Sequence, residues 1–182
     1  MEFRGSEEAR RVSACRWRTR LLAGLETGTL AGLVMLLWFA LEALRRGMVW
    51  YAIPNLLGSA FYGPAALRAG LGRVTLAGIS LELAHAGLAG AVFGLIAAKI
   101  TGFGRALMFG LTAGLVDYAV LYFVVWRHTA PLLARHSPEP ATLLAHLLYG
   151  VVLSRLPARC SRLEAAIGTP APVPKAGCQN DP

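Results

Sequence analysis

Four residues of this chain can hold or pass a proton while lying deep in apolar sequence: Glu82, His85, Asp117 and His146. A charged group at the centre of a membrane helix costs roughly 2.5–3.5 kcal/mol on insertion scales, so such groups face a partner or an ion path instead of acyl tails. Glu82 and His85 are three residues apart, which puts both on one face of a helix. Three kinds of chemistry fit the set. Buried acid and imidazole groups hydrogen-bond across helices and hold them in register, for roughly 0.6–2 kcal/mol each. Acid–His chains also relay protons or ions through membranes. A Glu-x-x-His step is, thirdly, part of the ligand set of a di-iron bundle. That set needs a second Glu-x-x-His, and the position three before His146 is Leu143. No metal and no other cofactor is therefore expected. The sequence has no phosphate-binding glycine loop, nucleophile elbow, Cys/His zinc spacing or Ser/His/Asp set, so no catalytic residue is assigned and no enzyme is expected.

Four apolar stretches must carry these groups: residues 21–44, 74–98, 105–126 and 139–156. A hydrocarbon core about 30 Å thick takes roughly 20 apolar residues of helix to cross. The first three stretches reach that length and the fourth is marginal. Only 15% of the chain is charged, against about 25% in a soluble domain. The expectation is an all-α polytopic membrane protein, a bundle of four transmembrane helices in one domain, 21–157. A basic segment, 1–20, precedes it, and a largely disordered tail, 158–182, follows. His85, Asp117 and His146 each lie about one or two residues from the midpoint of their stretch, hence at one depth in an antiparallel bundle. Glu82 falls somewhat further outward, and Glu26 is alone near the cytoplasmic end of the first helix.

The net charge of +8 does not mark a nucleic-acid binder, because the Lys and Arg residues flank the apolar stretches, where anionic lipid headgroups attract them. The partners expected are the lipid bilayer and a possible second copy of the chain; no nucleic acid is expected. Twelve Lys and Arg fall on the side of the two termini and six on the other, which places both termini in the cytoplasm. The connector 47–73 is too apolar for an exposed loop and too short to span. Pro54 suits a helix start and Gly63-Pro64 a stop, so an interfacial or re-entrant helix is expected over 54–62. The loop 127–140, with His128 and His136, is expected to be solvated. Cys15, Cys160 and Cys178 lie outside the apolar stretches and are expected as reduced cytoplasmic thiols.

Small residues recur at four-residue spacing: Gly24, Gly28 and Gly32; Gly90 and Gly94; Gly110 and Gly114. Each set makes a groove on one helix face, through which a second helix approaches closely, within one chain or between two copies. A faint repeat runs alongside. Ala31-Gly32-Leu33-Val34 echoes Ala113-Gly114-Leu115-Val116, and Leu83-Ala84-His85 echoes Leu144-Ala145-His146. The first and last pairs of helices thus read as two copies of one hairpin.

Three stretches carry a family resemblance: residues 53–63 (IPNLLGSAFYG), 87–95 (GLAGAVFGL) and 146–153 (HLLYGVVL). Through them the chain resembles a family of small, uncharacterised bacterial integral membrane proteins, over roughly residues 21–157. The resemblance implies a four-helix domain in a bacterial inner membrane and assigns no activity. Two functions are weighed. One is a non-catalytic structural or interaction component of the membrane. The alternative is a small permease or proton- or ion-coupled channel using the Asp/His cluster.

Overall fold

The computed structural model describes residues 2–97, 100 and 102–168, with the backbone alone for 2–16, 164 and 166–168. No strand occurs among the described residues. Helix α1, Glu2–Arg45, is unbroken, because no proline interrupts it. The basic segment 1–20 is therefore, from Glu2, a continuation of the apolar helix and not a separate element. Gly47, at φ +71°, turns the chain away. Helix α2, Ala52–Tyr62, has Pro54 in its first turn, and Gly63-Pro64 tightens it into a 3-10 segment, Gly63–Arg68. Helix α3 is Arg73–Ala97. Gly102, at φ +90°, leads into α4, Phe103–Thr129, which widens to π-type turns over Val120–Val125.

The segment 127–140, expected as a loop, is partly helical. Helix α5, Pro131–His136, and helix α6, Glu139–Leu153, both use prolines in their first turns, where no amide partner is lost. His128 and His136 donate through Nδ1 to the Val124 and Leu132 carbonyls at 2.7 and 3.0 Å and remain exposed. Helix α7, Leu156–Gly168, corrects the expectation of a disordered tail from 158. Pro157 sits in its first turn, Leu156 is fully buried, and Cys160 packs with Ala23 of α1. Residues 169–182, with Cys178, lie outside the described residues, as does the side chain of Cys15. Among the described residues four helices are long and apolar enough to cross a membrane: Trp17–Arg45, Arg73–Ala97, Phe103–Thr129 and Glu139–Leu163, the last continuing α6 into α7.

Packing runs in the order α3, α1, α6, α4, while α3 and α4 barely touch. Every glycine flagged by spacing lies in a seam within the chain. A Cβ on Gly24 or Gly28 would run into the Gly90 or Ala86 carbonyl, and one on Gly32 into the Ala86 methyl. Gly94 meets Arg20 and Gly24 in the same way. On the other side, Gly110 and Gly114 press on the Gly150 and His146 carbonyls. The two hairpins are thus alike, but not in the register the letters suggest. Gly28, not Gly32, is the counterpart of Gly114, and Ala86, not His85, is the counterpart of His146. One residue of offset rotates a side chain by about 100° around the helix. That rotation is why His85 points out of its seam toward α4.

Helix α2 docks on α3 through glycine as well. A Cβ at Gly78 would collide with the Pro54 carbonyl. Asn55 holds the connector: its Nδ2 donates to Ala69 O at 2.7 Å, and its Oδ1 accepts from Thr75 Oγ1 at 2.6 Å. The main core joins Met35 and Phe39 of α1, Ile53 of α2, Ala86 of α3, and Ala145 and Tyr149 of α6. Trp38 Nε1 donates to Ala141 O at 2.9 Å, tying α1 to α6.

Candidate functional site

Asp117 reaches from α4 toward one imidazole on each side. Its Oδ1 is 3.2 Å from His85 Nε2 on α3, and its Oδ2 is 3.7 Å from His146 Nε2 on α6. The three groups that sequence spacing put at one depth are in fact together. His146 is fully buried, while Asp117 and His85 remain partly exposed. The seam between α4 and α6 sets this geometry, since Gly114 lies against the backbone of His146. The Tyr118 ring stands edge-on to His146, with centroids 5.7 Å apart.

The hydrogen bonds of His146 restrict its protons. Its Nδ1 is 2.8 Å from the Thr142 carbonyl oxygen, which can only accept, so Nδ1 carries the hydrogen. In the neutral ring Nε2 is then a bare lone pair, and it faces Asp117 Oδ2, itself an acceptor when ionised. Attraction between them requires a proton on one or the other. At 3.7 Å the two are beyond hydrogen-bond length. Among the described residues, four buried side-chain polar atoms lack a hydrogen-bond partner, and three of them are here: Glu82 Oε1, Asp117 Oδ2 and His146 Nε2.

Glu82 lies one turn before His85 and is 6% exposed. Its oxygen is not drawn into the triad. Glu82 lines instead a cavity of about 360 Å³ between α2, α3, α4 and the start of α5, whose wall otherwise has side chains such as Leu57, Leu121 and Trp126. A second space, of about 460 Å³, follows the gap between α3 and α4 toward Ile96 and Leu153 and has Asp117 and Tyr149 in its wall. His85 lines both. Among the described residues no group of three His, Cys, Asp or Glu side chains is arranged to hold a metal ion.

Three further polar contacts lie outside the expected cluster. Tyr149 Oη donates to Ala86 O at 2.9 Å, joining the two hairpins beside the cluster. Glu42, nearly buried near the end of α1, accepts from Arg45 and Arg46 at 2.7 Å each. Its three- and four-residue spacing to the arginines was the available clue. Glu26, expected to be alone, pairs with Arg159 of α7 at 2.8 Å, an exposed contact created by the helical continuation past Pro157.

No family model, curated protein or solved structure matches the chain.

Proposed function

We propose that the chain is a multi-pass protein of a bacterial inner membrane, with four spans and both termini in the cytoplasm, acting as a small proton-coupled permease through His85, Asp117 and His146. Insertion is supported by the large apolar side chains on the outward helix faces, among them Leu37, Leu76, Leu88, Ile96 and Met108, all exposed. Apolar surface on that scale needs lipid or a protein cover. Helix α2, too short to span and buried against α3, is the interfacial or re-entrant piece.

One observation carries the proton reading: with Nδ1 of His146 bound to a carbonyl, its Nε2 and the facing Asp117 Oδ2 repel as lone pairs unless one of them takes up a proton. His85, on the other carboxylate oxygen, lines the two spaces that flank the site, so a proton crossing between them meets its ring. Buried polar atoms without partners are costly, and inside membranes ionisable groups of this kind mark proton and ion paths. A purely structural role would be better served by a satisfied network. The structural reading keeps one observation in its favour, since the Asp117–His85 contact bridges the otherwise sparse gap between α3 and α4.

Proteoliposomes separate the two. With a pH-sensitive dye trapped inside and a potassium diffusion potential imposed, the wild type is expected to pass protons. Asp117→Asn should lose that flux at unchanged abundance and helix content. A variant that is less abundant but equally active per molecule would establish the structural role, and a silent wild type would remove the permease.

A further inference from the structure

From the cavity walled by α2, α3, α4 and the start of α5, we infer a binding site for a lipophilic organic monocation, an aromatic or alkyl ammonium, with Glu82 as its counter-charge. The inference rests on the permease reading for its transport role and names the substrate class for it. The volume, about 360 Å³, is that of a small-ligand site. Its lining is apolar except for Glu82, His85 and Thr129, and it contains no Lys or Arg. An anion would therefore meet a carboxylate and no cation. A neutral lipid tail would cover Glu82 without answering its charge.

Glu82 supplies the second, independent observation. It is 94% buried by its 6% exposure, its Oε1 has no hydrogen-bond partner, and it lies in the cavity wall and not in the Asp117 cluster. Trp126, also in the wall, offers an indole for cation–π contact, the usual means of recognising quaternary ammonium groups. The π-type turns of α4 contribute Leu121 and Val125 to the same wall, and such turns are frequent at functional sites.

In so apolar a site one positive charge balances the carboxylate, so a proton and an organic cation compete for it. When the cation binds the protonated acid, the O–H bond breaks, the carboxylate pairs with the cation, and the proton leaves. His85, one turn along the same helix, is placed to receive it and pass it to Asp117. The titratable groups that act on Glu82 are His85, Asp117 and the Tyr149 hydroxyl; α2 and α5 place none in the cavity.

The test uses the full chain purified in dodecylmaltoside and radiolabelled benzyltrimethylammonium in equilibrium dialysis. One saturable site per chain is expected. Neopentylbenzene, the same shape without the charge, should not compete. Glu82→Gln should weaken binding by roughly 30-fold or more, the loss seen when one partner of a buried charge pair is removed. Ala60→Trp fills the cavity from its exposed rim on α2 while keeping the acid, and should abolish binding while leaving thermal stability unchanged. Undiminished binding in either variant, equal competition by the neutral isostere, or no saturable binding would overturn the site. If Glu82→Gln does not fold, Ala60→Trp and the isostere still decide. Cation binding in a protein whose Asp117→Asn form passes protons normally would refute the relay and leave the cation site intact.

Discussion

Gly114→Ala offers the most direct link between packing and site. Gly114 lies mid-way along α4, and a Cβ there would be driven into the His146 carbonyl oxygen, with Gly150 N and His146 C at 3.2 Å. All three obstacles are backbone, so no change of rotamer relieves them and α6 must move off α4. Replacing glycine by alanine in a helix is worth roughly 0.5–1 kcal/mol, and overpacking costs about 1–3 kcal/mol. With an immovable obstacle the upper end applies, so the net loss is about 2–2.5 kcal/mol, or roughly 30- to 70-fold in the folded-to-unfolded ratio. The matched control is Gly104→Ala in the first turn of the same helix, where nothing lies within 4 Å of the added methyl. It should be neutral or stabilising by about 0.5 kcal/mol. Reversible unfolding in mixed dodecylmaltoside–SDS micelles, followed by far-UV circular dichroism, measures both. Because the displaced carbonyl belongs to His146, the variant should also pull Nε2 away from Asp117 and lower proton flux in liposomes. Stability of Gly114→Ala equal to or above that of Gly104→Ala would refute the close seam and the site geometry built on it.

Asn55→Ala removes the donor to Ala69 O and the acceptor for Thr75 Oγ1 at a nearly dry position, and should cost about 2 kcal/mol in the same assay. Tyr149→Phe keeps the volume and loses only the hydrogen bond to Ala86 O, for about 1 kcal/mol. Glu26→Gln breaks an exposed pair with Arg159, both side chains being more than a third exposed, and should shift stability by less than about 0.5 kcal/mol. A large effect there would mean that α7 is held to α1 by charge instead of by the burial of Leu156 and Cys160.

The apolar periods alone announced four long helices, and counting from their midpoints put His85, Asp117 and His146 at one height. Both follow from one-dimensional properties: helix rise is constant, and the run lengths are written in the chain. Glycine spacing likewise announced close seams. What letters do not contain is rotation about each helix axis and the choice of neighbour. Aligned by identity, His85 and His146 look equivalent, yet the seams pair His146 with Ala86, and the offset turns one imidazole outward and buries the other. The meeting of His85 with Asp117, the place of Glu82 in the wall of an apolar cavity, and the gap between α3 and α4 all depend on that rotation and choice of neighbour. They come from contacts between residues far apart in the chain, where a shift of one residue changes the face presented and the composition not at all.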